Sequence, residues 1–145
     1  MDARSLFLTA NTTTVYVFTC LDLKDGPIVL YVPPRVLGPA DDAYFRWVTD
    51  VGITGPDGGK GGKYLFVPPG YTGNVPSEGY FIARLLVFYR AFVERGDIAA
   101  AVKGVKRSAS VYALSKQANP PAPQFVNTSG LKFAMLRRTT LITVL

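Results

Sequence analysis

The sequence predicts a mainly β fold of the α+β class: antiparallel, sandwich-like sheets with two short helices near residues 85–107. Three observations carry this. Within 145 residues, 48% are hydrophobic and only 18% charged, enough apolar material for one packed core and little support for disorder. Fourteen glycines and eleven prolines favour many short elements joined by turns. The apolar runs are rich in Val, Ile, Thr, Tyr and Phe, which suit a pleated surface.

Residues 1–10 carry little periodic signal and read as a lead-in. Asn11-Thr-Thr-Thr14 opens a β-prone run, Val15 to Leu23, and Ile28 to Val32 resumes it after the turn signal Asp25-Gly26-Pro27. The two runs are expected to form a hairpin. Leu30-Tyr-Val-Pro-Pro34 is echoed by Leu65-Phe-Val-Pro-Pro69. A proline cannot donate to a ladder, so each strand should stop at its proline pair, the same device used twice in one sheet system.

Tyr44 to Val51 is the next expected strand. Alternation places Phe45, Trp47, Thr49 and Val51 on its core face and Tyr44, Arg46, Val48 and Asp50 on the other. Tyr80 to Arg84 continues the β pattern. From Leu85 to Glu94 apolar residues recur at three and four positions, which predicts a buried helix with Gly96 as its C-cap. Asp97 should N-cap a second helix from Ile98 to about Arg107. Ser110 to Leu114 reads as strand, Asn119-Pro-Pro-Ala-Pro123 as a rigid connector, and Leu131 to Met135 as a final strand. Thr139 to Leu145 is β-prone and uncharged, so it should either pair into a sheet or belong to a chain that has lost its continuation.

Several chemistries are excluded by composition. The sequence has no histidine, which removes His-based triads, dyads and metal motifs. Cys20 is the single cysteine, so an intrachain disulfide is impossible; its apolar setting suggests a buried, inert thiol. The net charge of +6 is scattered rather than gathered in a stripe, which argues against nucleic acid as a partner. No 18-residue apolar run spans a membrane, and no export signal opens the sequence, so the cytoplasm is the default location, with export as the alternative in intact relatives.

The loop Gly55-Pro-Asp-Gly-Gly-Lys-Gly-Gly-Lys63 invites a phosphate-binding reading. A P-loop needs a glycine five residues before its Gly-Lys, a following Ser or Thr, and then a helix. Here Asp57 and Thr54 occupy those earlier positions, Gly61 and Tyr64 come after the lysines, and a strand is next. The loop therefore reads as a flexible, exposed connection whose lysines keep it solvated. The paired carboxylates Asp41-Asp42 and Asp22/Asp25 read as solvated turns rather than an acid–base pair.

The densest polar patch beside a strand comprises Asn11, Thr12, Thr13, Thr14 and Tyr16; a ligand site would draw on Asn11, Thr12, Thr13 and Tyr16 from it, joined by Arg46, Asp50 and Arg84 from other strands. These seven are the candidate ligand-binding residues. No catalytic residue, metal ligand or cofactor is identified.

Asn11-Thr-Thr-Thr-Val-Tyr16, Leu21 to Pro34, Asp50-Val-Gly52, Gly59 to Tyr71 and Lys116 to Pro121 together resemble domain-of-unknown-function family 1254. The resemblance covers about residues 9–133. It implies a β-rich fold and the N-terminal half of a bacterial protein that usually carries a C-terminal companion, family 1214, and it carries over no catalytic residue. Residues 11–135 are assigned to the single domain and 136–145 to an atypical tail, which suggests a truncated member. The expected function is a structural, ligand- or partner-binding module of a larger two-domain protein, partnered by that companion or by a second copy. The alternative is a small-molecule-binding or hydrolytic enzyme domain whose site needs the companion.

Overall fold

The computed structural model describes residues 13–42, 44–83, 87–126 and 141–144. Among the described residues, ten strands form two sheets. The strands are β1 Thr14–Thr19, β2 Ile28–Val32, β3 Val36–Asp41, β4 Trp47–Gly52, β5 Gly62–Phe66, β6 Phe81–Ala83, β7 Val87–Phe92, β8 Ser110–Ala113, β9 Gln124–Val126 and β10 Leu141–Val144; helix α1, Ile98–Ser108, precedes β8. The larger sheet runs β4-β3-β7-β1-β10-β9 and the smaller β6-β5-β2-β8. Most pairs are antiparallel; β5 with β6 and β10 with β9 are parallel.

Between the sheets lies one core. Val15, Val17, Val36, Val51 and Tyr89 enter it from the larger sheet, and Leu30, Val32, Tyr64 and Phe66 from the smaller. The period-2 alternation of β2 and β5 leaves Val29 and Leu65 on the opposite face of the smaller sheet. There they pack with Val67 and Tyr112 under Val75 and Tyr80.

Both proline pairs act as predicted. β2 and β5 are direct neighbours, with Val29 opposite Leu65, and each ends within one residue of its Pro-Pro. The helix Ile98–Ser108 is also as predicted: Asp97 accepts a hydrogen bond from the Ala100 N–H at 2.9 Å, with Lys106 and Arg107 in the last turn. Residues 141–144 pair with both β1 and β9, so the uncharged tail segment completes a sheet.

The predicted β1–β2 hairpin does not form. β1 pairs with β7 and β10, whereas β2 pairs with β5 and β8 in the other sheet. The link between them contains a 3₁₀ turn, Leu23–Asp25, and buries Leu21 and Leu23 in the core. A connection with two buried leucines spans the sandwich rather than reversing within one sheet.

Within the predicted helix over residues 85–94, Val87–Phe92 form the strand β7, so the described residues hold one α-helix rather than two. Residues 87–92 pair along their whole length with β1. Five of those six, Val87, Phe88, Tyr89, Ala91 and Phe92, are apolar, and so continuous a run satisfies both periods; the partner strands decide between them.

β3 had no strand signal because it contains Gly38 and Pro39. It pairs with β7 at Val36, Leu37 and Ala40, and the pairing lapses at Gly38 and Pro39, where the N–H of residue 39 is missing. The predicted strand over 131–135 lies outside the described residues.

The alternation expected for residues 44–51 is broken by a bulge. Ala40 faces Thr49 but Asp41 faces Trp47, so Val48 is the extra residue on β4 and packs against the core. Upstream of it the strand gives way to the turn, and residues 44–47 are all exposed. Trp47 and Phe45, expected inside, lie in solvent.

Candidate functional site

The sequence-predicted constellation is not gathered into one site. Asn11, Thr12 and Arg84 lie outside the described residues. Thr13 is exposed just before β1, and Tyr16 is buried on β1 beneath the Arg90 guanidinium, 5.9 Å from the ring centroid. Arg46 and Asp50 belong to the β3–β4 hairpin, and β3 and β7 separate β4 from β1. Three strand spacings amount to about 14 Å, beyond a shared small ligand.

Arg46 and Asp50 do meet other residues at that hairpin, and these form the candidate site. Asp42, expected in a solvated turn, is buried. Its Oδ1 accepts hydrogen bonds from the N–H groups of Tyr44 (2.8 Å) and Arg46 (3.0 Å), and its Oδ2 accepts from Arg46 Nε at 2.5 Å. The Asp42 N–H donates to the Arg46 carbonyl, and the Phe45 N–H to the Asp42 carbonyl. The Arg46 N–H, then that of Tyr44 and the guanidinium, hold the Asp42 carboxyl below the usual carboxylate range.

Around this one carboxylate the tip displays its large side chains outward. Tyr44 is 82% exposed, Phe45 84% and Trp47 68%. Phe45 has φ 60°, a left-handed conformation unfavourable for a residue with a side chain. Arg46 lies 5.5 Å from the Tyr44 ring centroid, and Trp47 Nε1 donates to Asp50 Oδ1 at 3.0 Å. Water-facing aromatics on a strained, hydrogen-bonded turn are an unusual surface for a protein to maintain. Sequence reasoning missed the tip because it assigned Phe45 and Trp47 to the core. An aspartate with main-chain donors two and four residues later is a turn signal that would have located it.

The Gly-Lys loop is built differently from the solvated connection expected. Asp57, at its centre, is 5% exposed. Its carboxylate accepts from Gly52 N–H (2.8 Å), Gly61 N–H (2.9 Å) and the Tyr64 hydroxyl (2.5 Å). The Ile53 N–H continues the β3–β4 ladder by donating to Val36, so Gly52 turns its own amide to the open edge of the larger sheet, where Asp57 receives it. Gly61 immediately precedes β5 and Tyr64 lies within it. One carboxylate thus joins the end of β4 to the start of β5. Lys60 and Lys63 have no acidic partner among the described residues. Cys20, expected to be buried, is exposed.

Among the described residues no group of His, Cys, Asp and Glu could hold a metal ion, and no helix is long and apolar enough to cross a membrane.

The family model for proteins of unknown function designated DUF1254 matches residues 1–113. The chain belongs to the DUF1254 family. No curated protein matches it. The crystal structure of the VPA0106 protein from Vibrio parahaemolyticus superposes with a TM-score of 0.65 at 18% identity, over 86% of this chain and 33% of that one. At that identity the likeness establishes a shared fold. The DUF1254 chain spans about one third of the length of its bacterial neighbour. The family match includes the hairpin tip, the Asp57 loop and helix α1.

Proposed function

We propose that this DUF1254 domain is a partner-docking module whose β3–β4 tip seats on a companion domain of a longer polypeptide. The observation that carries the proposal is the exposure of Tyr44, Phe45 and Trp47 on a turn held by buried Asp42. Tyr, Trp and Arg are the residue types that dominate protein interfaces, and here Tyr44, Arg46 and Trp47 stand together with Phe45. A pre-ordered turn loses little conformational entropy on docking. The shared fold occupies one third of the VPA0106 chain, which supports a polypeptide occupant over a small molecule.

Trp47 is the single tryptophan, so its fluorescence reports directly on the tip. The test compares the chain alone with a fusion to the companion domain of a longer family member, that domain's tryptophans replaced by phenylalanine. Docking predicts a blue-shifted, quencher-protected emission that is lost in Tyr44→Ser/Phe45→Ser. Water-exposed emission in the fusion overturns the proposal. A concentration-dependent blue shift of the chain alone assigns the surface to a second copy instead.

A further inference from the structure

A groove of about 350 Å³ runs along helix α1, between the helix and the Pro33-Pro34 corner. Its floor is apolar: Val36 from β3, Ala91 from β7 and Val105 from the helix, all buried. Pro33 and Pro34 form one wall. The helix wall is low because Ala101 and Gly104 are small, and a Cβ built on Gly104 would meet no atom within 4 Å.

Charge is distributed unevenly around this apolar trough. Arg35 and Glu94 form an ion pair of 2.7 Å at the mouth, so these two charges offset one another. Asp97 stands at the start of the helix, where Ala100 donates to it. Arg107 stands in the last turn, roughly 15 Å away by helical rise, and has no acidic partner among the described residues. The groove therefore offers an unpaired guanidinium at one end of an apolar channel, with the capping Asp97 carboxylate at the other. Arg35 is held at φ 59° with its N–H donating to the Gly59 carbonyl at 2.9 Å. A left-handed arginine is a strained placement, and here it sets a guanidinium over the groove mouth.

We propose that this groove binds an amphipathic monocarboxylate, the carboxylate on Arg107 and the apolar body against Pro33, Pro34, Val36 and Val105. A chain with an apolar body matches the floor, and a single negative head matches the one unpaired guanidinium. The site uses no residue of the aromatic tip and is independent of the docking proposal.

The probe is octanoate, titrated into the full 145-residue chain while backbone amide shifts are followed by NMR, with octanol as the uncharged control. The expected result is saturable shifts at Ala101, Gly104 and Val36. Arg107→Gln should weaken octanoate roughly tenfold, the loss of one charge-assisted contact in a partly solvated site. Gly104→Leu, whose Cβ would meet no atom within 4 Å, should fill the trough and abolish binding while the remaining spectrum keeps its fold. Absent shifts, equal binding of octanol, or undiminished binding by Gly104→Leu would each overturn the assignment.

Discussion

The Tyr64 hydroxyl donates to the Asp57 carboxylate across the junction of the two sheets, and the same carboxylate holds the amides of Gly52 and Gly61. The Gly52 carbonyl in turn accepts from Gly55 (2.8 Å) and Gly59 (3.0 Å), so the loop covers the end of edge strand β4. An open edge is a template for unwanted pairing, and this loop closes part of it.

Asp57→Ala should therefore be among the most destabilising substitutions in the chain. It strands two main-chain donors and a hydroxyl, each worth about 1–3 kcal/mol when buried without a partner. A loss of about 3 kcal/mol or more is expected in urea unfolding, read as a lower midpoint at constant slope. Tyr64→Phe removes one donor and should lose about 1 kcal/mol. A loss in Asp57→Ala no larger than that in Tyr64→Phe would contradict the staple.

Glycine is required at the two amides that Asp57 receives. A Cβ on Gly52 would stand 1.9 Å from the Val36 carbonyl oxygen, and one on Gly61 2.7 Å from the Pro34 nitrogen. Both residues have positive φ, at 81° and 77°. Gly52→Ala should abolish folding or lower the thermal midpoint severely. Gly104→Ala, in the helix with open space around it, should stabilise by about 0.5–1 kcal/mol. The opposite signs are read in a single thermal-melt comparison.

At the tip, stability and docking should move in opposite directions. Phe45→Gly relieves a left-handed residue and is expected to raise stability by about 1 kcal/mol. It also removes the most exposed aromatic, so companion docking should weaken. Calorimetry of the chain and Trp47 emission in the fusion measure the two effects separately.

The pH dependence has a sign at each end. Burial pushes the Tyr64 hydroxyl up, with the Asp57 hydrogen bond adding to it, and burial alone pushes up Tyr89. A raised tyrosine favours the folded state while protonated, so stability should fall as pH rises above about 10, where the unfolded phenols ionise. Asp42 is shifted the other way, so its contribution is present above about pH 4 and is lost as pH falls through its lowered folded value. Alkaline unfolding delayed in Tyr64→Phe, and acid exposure that alters Trp47 emission before the global melt, are the expected readouts.

Legibility tracked the range of the forces involved. The helix from Ile98 was readable because its signals are local: an aspartate cap, an apolar stripe and basic residues in the last turn. The stops at Pro33 and Pro68 were readable for the same reason. β7 was misread because its apolar run fits a helix or a central strand equally, and only its neighbours β1 and β3 choose. β3 was invisible because its Gly38 and Pro39 argue against a strand until two partners bracket them.

The candidate site illustrates the same division. From the sequence alone came the family, the β-rich class, the absence of histidine chemistry and the failure of the Gly-Lys loop to meet phosphate-loop spacing. Those properties reside in composition and in neighbouring residues. The tertiary structure decided that Val48 bulges and leaves Trp47 in water, and that Phe45 stands in the turn before β4. It also decided that Asp42 and Asp57 are buried organisers rather than solvated loop charges. A carboxylate's role depends on which amides the fold brings to it, and for Asp57 those amides come from the last residue of β4 and the residue before β5.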